Sequence, residues 1–162
     1  MLEPLKHFIC DTCGRVIEDP ADGVVEWLEG TNSEGRYIAS QFRIEHRASP
    51  MSNDLSVCMH HRHSSADCDV DLDLYLETAQ AQLYCLLSPF SYEDPRGTGI
   101  SLIADYYKYA EFLRRVTIPY YEEARQYFPQ MEQNGEMREN SEILFFSEEN
   151  LKRIIEKYGP EE

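Results

Sequence analysis

Residues 10–14 read Cys10-Asp11-Thr12-Cys13-Gly14, and this stretch decides how the chain is to be read. A Cys-x-x-Cys pair followed by Gly forms a tight turn that aims two thiolates at one cation, with backbone amides turned toward the sulfurs. Zinc prefers four soft or borderline ligands in a tetrahedron, and such a turn supplies two of them. A redox dithiol would instead open a helix directly after a strand. The residues that follow here, Arg15 to Gly23, are polar and turn-rich, which disfavours that use. Two unliganded structural cysteines are the remaining alternative.

The segment resembles the knuckle of zinc-ribbon and treble-clef proteins over about five residues. Those families normally bring a second knuckle, and no second Cys-x-x-Cys exists in this chain. The nearest substitute is Cys58-Met59-His60-His61, with His63 and Cys68 close behind. Cys58 is the expected third ligand, because an unliganded thiol in so polar a segment would have no packing reason to be there. The fourth is His46 or His61, with His60 behind them. His7 and His63 read as solvated, and Ser64-Ser65-Ala66-Asp67 makes the approach to Cys68 look like a linker.

Outward from the turn, the N-terminal part reads as short strands. Lys6 to Ile9 leads into Cys10, Gly23 to Leu28 follows the turn formers Glu18 to Gly23, and Arg36 to His46 alternates with Ile38, Phe42, Ile44 and His46 on one face. Gly30 to Gly35 is a loop of turn residues, so the last two strands form an antiparallel hairpin. That pairing puts His46 beside the start of the second strand, on the side of the Cys10–Cys13 turn. Local spacing to Cys58 favours His61 instead.

The C-terminal part reads as about four helices. Residues 72–87 carry Leu72, Leu76, Ala79, Leu83 and Leu86 in helical rhythm, and residues 100–115 carry Leu102, Tyr106, Tyr109 and Leu113. Pro119 suits a helix first turn, and the helix it opens should stop before Pro129. Ser147 looks like an N-cap with Glu148 and Glu149 in the first turn of a helix closed by Gly159. The stretch from Cys68 to Leu76 alternates strictly and reads equally well as a strand at its start. The expected class is therefore α+β, a small antiparallel zinc-stabilised sheet packed with helices. It divides into a zinc-knuckle segment over residues 1–68 and an acidic helical segment over 69–162, or forms one compact unit.

Charge follows that division. The chain of 162 residues carries a net charge of −15, from 15 Lys and Arg against 30 Asp and Glu. Residues 1–68 hold 6 basic and 11 acidic side chains, while residues 69–162 hold 9 and 19. Such a surface lacks the clustered cations that phosphate-backbone binding or an anionic membrane would need. Met1 to His7 contains no basic stretch leading into an apolar run, and the longest uncharged stretch, Thr78 to Tyr92, is too short and polar to span a bilayer. The expectation is a soluble cytoplasmic protein whose five cysteines, an odd number, stay reduced.

Other motifs fail on inspection. Asp67, Asp69, Asp71 and Asp73 alternate, but a calcium loop counted from Asp69 would need Gly where Leu74 stands and Glu where Gln80 stands. No phosphate loop, nucleophile elbow or His-Glu-x-x-His is present. Tyr106, Tyr107, Tyr109, Tyr120, Tyr121 and Tyr127 are dense enough to make either a helical core or an interface. Glu122 and Arg125 lie one helical turn apart and are placed to pair. Two function classes follow. The first is a non-enzymatic protein-interaction or regulatory module with structural Zn2+, whose protein partner or self-association uses the Tyr-rich half. The second is a metal-dependent hydrolase or nuclease, since His60, His61 and His63 resemble the His-rich motifs of ββα-metal nucleases.

Overall fold

The computed structural model describes residues 1–47, 58, 67–77, 102–138 and 142–160. It has the α+β class, with small sheets built mainly from the N-terminal part and helices following them. Strands β1 (Phe8–Ile9) and β2 (Val16–Ile17) pair antiparallel, with Phe8 opposite Ile17 and Ile9 opposite Val16. The Cys10–Gly14 turn joins them. Gly14 closes it at φ +70°, a backbone region that a side chain disfavours.

Strands β3 (Gly23–Thr31) and β4 (Tyr37–His46) form the expected hairpin, and Gly23 faces His46 at its open end. Asn32 makes the loop, its side-chain oxygen accepting from the amides of Glu34 and Arg36, while Gly35 takes φ +77°. The alternating stretch after residue 66 resolves into both readings. Asp67–Asp71 is strand β5, antiparallel to β3, and Leu72–Leu76 is helix α1. The switch falls where Leu72 folds over Gly23. A Cβ on Gly23 would lie only 2.7 Å from Leu72 Cδ2, so the strand end and the helix share one contact point. The rest of the 72–87 helical reading lies outside the described residues.

The helix expected over 100–115 starts later. Leu102–Ile103 is strand β6, parallel to β4, which completes a sheet of order β5-β3-β4-β6. Asp105 then caps helix α2 (Tyr106–Thr117), its carboxylate accepting from the Lys108 amide at 3.0 Å. With Leu102 in the sheet, the seam of α2 runs through Tyr109, Phe112, Leu113 and Val116. Tyr106, expected on that seam, sits in the first turn and is 58% exposed against 6% for Tyr109. The Phe42 ring of β4 packs edge-on against Tyr109 at 4.8 Å and stacks on Phe112 at 5.9 Å.

The prolines also fall differently. Pro119 precedes Tyr120, which takes φ +66° at the start of helix α3 (Tyr121–Ala124). A 3-10 turn over Arg125–Tyr127 follows, and Pro129 then sits in the first turn of α4 (Phe128–Gln133). A proline there sacrifices no helical hydrogen bond, so the chain coils through Pro129 instead of stopping before it. Helices α5 (Glu142–Phe145) and α6 (Glu148–Tyr158) end the fold. Ser147 caps α6 as expected, accepting from the Asn150 amide, and Gly159 closes it.

Two apolar clusters result. One lies between sheet and α2 and includes Phe8, Ile17, Val25, Ile44, Leu72 and Phe112. The other lies among the later helices, with Tyr121, Met131, Phe145, Leu151, Ile154 and Ile155. The tyrosines divide accordingly: Tyr109 and Tyr121 are core, whereas Tyr106 and Tyr107 face solvent. Among the described residues no helix is long and apolar enough to cross a membrane.

Candidate metal centre

Three separate pieces of chain deliver side chains to one point. Cys10 and Cys13 come from the turn after β1, His46 is the last residue of β4, and Cys58 is buried against them. Their ligand atoms all lie within 4.8 Å of one another, so the four residues can hold a metal ion. Cys10, His46 and Cys58 are buried, and Cys13 is the outermost of the set.

The spacing suits a four-coordinate ion. With metal–sulfur bonds of about 2.3 Å and metal–nitrogen bonds of about 2.05 Å, a tetrahedron has a sulfur-to-nitrogen edge of about 3.6 Å. Cys13 Sγ stands 3.5 Å from His46 Nδ1. The other ring nitrogen, Nε2, is 3.3 Å from the Val16 carbonyl, which can only accept. That contact puts the proton on Nε2 and leaves the Nδ1 lone pair facing the sulfurs, the tautomer a ligating histidine needs.

The turn itself is held against β4. The Asp11 amide donates to the Ile44 carbonyl at 2.9 Å, and the Ile44 amide donates back to Asp11 Oδ2 at 2.8 Å. Thr12 donates to Glu45 Oε1 at 2.6 Å. These bonds follow from the β3–β4 register, which ends the hairpin beside the turn and so delivers His46.

From the protein groups alone, the three thiols resist shared ionisation. Burial pushes Cys58 up to about 12, and the Cys13 and Cys10 sulfurs beside it add to the rise. Burial also raises Cys10, against the pull of the Cys13, His46 and Thr12 amides. Burial works in the same direction at Cys13, but hydrogen bonds from Arg15, then from the other two thiols, outweigh it and hold this sulfur at about 6. A cation among the three sulfurs would favour their thiolate forms, and the donor set could hold one.

Cys10, Cys13, Cys58 and His46 thus stand together. His60, His61 and His63, on which the nuclease-like reading depends, lie outside the described residues. Cys68 belongs to β5, where its backbone pairs with Trp27. What the sequence reading missed is the support behind the turn. Arg115 of α2 is only 3% exposed, and its guanidinium reaches Asp11 Oδ2 at 2.6 Å, the Ile9 carbonyl at 2.7 Å and both oxygens of Glu122 at 2.7 and 2.9 Å. Glu122 in turn accepts from the Ile9 amide at 2.7 Å. Arg125 pairs with Glu122 as expected, through two bonds of 3.0 Å. Burial alone would raise the Glu122 carboxyl, but Arg115 and then Arg125 hold it below the usual carboxylate range. A signal was there to be read, since Arg115 interrupts the apolar rhythm of Phe112 and Val116. The chain matches no family model, no curated protein and no solved structure, which leaves these four side chains and their surroundings as the ground for any function.

Proposed function

We propose that the chain is a non-enzymatic module that carries one structural zinc ion on Cys10, Cys13, His46 and Cys58. The observation that carries this reading is the convergence of four protein donors, three sulfurs and one imidazole nitrogen, within 4.8 Å. A catalytic zinc keeps a position open for water, usually among His and carboxylate ligands, whereas four protein donors with three thiolates close the sphere. Thiolates also favour zinc over magnesium or calcium, which take oxygen ligands.

The module acts by binding a protein, through its helical half. Supporting this are Tyr107, 72% exposed, and the exposed Leu144 and Met137, all on elements after residue 105. The same half carries most of the negative charge, which suits a basic partner surface. Metal analysis of protein purified without chelators tests the centre. About one equivalent of zinc is expected, and Cys10→Ser or Cys58→Ser should remove it. Less than about half an equivalent, with all thiols freely titratable, would overturn the reading. Sedimentation of the wild type and of Tyr107→Ser, alone and with basic peptides, tests the interaction. Failure of any basic peptide to bind, together with a monomeric wild type, would overturn it.

A further inference from the structure

The buried Arg115–Glu122 pair has no use in the zinc reading as such, yet it grips the metal turn from both sides. One residue before Cys10, the Ile9 carbonyl accepts from Arg115 and the Ile9 amide donates to Glu122. One residue after it, the Asp11 carboxylate accepts from Arg115 at 2.6 Å. Both main-chain polar groups of Ile9 and the side chain of Asp11 are thereby fixed by residues more than 100 positions away in sequence. Glu122 is 5% exposed and Arg115 is 3% exposed, so the pair itself is shielded from water, while the Asp11 carboxylate it reaches is 24% exposed. A planar guanidinium offers donors in a fixed fork, and here Nε, Nη1 and Nη2 are all used.

We infer that Arg115 and Glu122 are positioning residues for the metal centre: the pair sets the direction of the Cys10 sulfur, and zinc affinity depends on it. This rests on the zinc reading above. The reasoning is that of ligand preorganisation. A ligand whose backbone is clamped on both sides loses little freedom on binding the ion, and partners behind the ligands commonly govern affinity by about 10- to 100-fold. Neither residue touches the ion, so the effect is on placement, not on donor chemistry. Arg125, which holds Glu122 from the outer side at 3.0 Å, keeps that carboxylate from swinging away from Ile9.

The test compares the full chain with Arg115→Lys, Glu122→Gln and Ile154→Ala. Lys keeps the charge but not the fork. Gln keeps the shape and one acceptor for Ile9 but loses the ion pair. Ile154 lies in the second apolar cluster, so its truncation destabilises the helical half without touching the turn. Zinc affinity is read by competition with a chromophoric chelator, and Co2+ absorption reports the ligand geometry. Arg115→Lys should weaken zinc about tenfold or more and perturb the Co2+ spectrum, with Glu122→Gln intermediate and Ile154→Ala unchanged in both. If Arg115→Lys does not fold, Glu122→Gln carries the comparison. Wild-type affinity in the variants, or equal weakening in Ile154→Ala, overturns the positioning role while leaving the zinc reading intact. A wild type that binds neither ion overturns the zinc reading itself, and this inference with it.

Discussion

Replacing Arg115 by Met tests the energetics of the buried pair apart from any metal. The substitution removes four hydrogen bonds, two to Glu122 and one each to Asp11 and the Ile9 carbonyl. It leaves the Glu122 carboxylate buried with Arg125 as its remaining cation. Breaking a buried pair by removing one member costs about 3–5 kcal/mol, and the surviving Arg125 contact places this case near the lower end. About 3 kcal/mol in a chain of this size lowers Tm by roughly 6–12 °C. The cost should depend on pH in a defined direction. In the wild type the Glu122 carboxyl is held low, so its contribution is present above the ordinary carboxylate pKa and is lost as pH falls through the folded value. In Arg115→Met burial acts with less opposition and raises that pKa, so acid neutralises the orphaned group and the gap between variant and wild type narrows. Urea unfolding followed by circular dichroism, with EDTA present, measures both at about pH 7.5 and about pH 4.5. A loss below about 1 kcal/mol at the higher pH, or a gap that widens in acid, would refute the reasoning.

Further outcomes concern the fold around the centre. Tyr121→Phe removes the hydroxyl that donates to Glu111 at 2.5 Å and should cost about 0.5–1.5 kcal/mol by chemical denaturation. Ser147→Ala removes the α6 cap and should cost about 1 kcal/mol, read in the same way. Gly23→Ala drives a methyl to 2.7 Å from the buried Leu72 side chain, so a loss of about 1–3 kcal/mol is expected in thermal unfolding. Removing metal with a strong chelator should speed amide exchange at Cys10, Asp11 and Gly14 while the α6 amides stay protected, since α6 packs in the second cluster.

Much of the N-terminal architecture was legible because period-two alternation and turn residues are local signals. Tyr37 to His46 alternates in sequence and Asn32 and Gly35 make the loop, so the pairing from Thr31–Tyr37 to Gly23–His46 was legible. The register shift between Glu26 and Leu28, where Gln41 takes φ +56° and Ala39 instead of Ile38 enters the core, was not. The α6 boundaries were legible for a similar reason, as Ser147 and Gly159 act within one helical turn. Leu102 and Ile103 were misread because their strand exists only through parallel pairing with Ile38 and Ala39, more than 60 residues earlier. Two residues carry no period of their own, so the helical rhythm of their neighbours absorbed them. Pro129 reads as a stop in sequence because a break and a first turn are the same residue there, told apart only by where the next helix starts. At the centre, the Cys-x-x-Cys turn announces itself, whereas placing His46 required the hairpin to be paired first. Arg115 was hidden for the opposite reason: a lone charge in an apolar seam signals burial but names no partner.

The grip of Arg115 on Asp11 spans 104 residues, and that separation has a consequence for how the protein is made. At about 5–20 residues per second, the ribosome finishes the cysteine turn roughly 5–20 s before it delivers the arginine that anchors it. During that interval the two thiols are on a nascent chain with neither their clamp nor, at first, Cys58. The bonds that fix Ile9 and Asp11 on either side of Cys10 are therefore made late in synthesis, once α2 has been delivered.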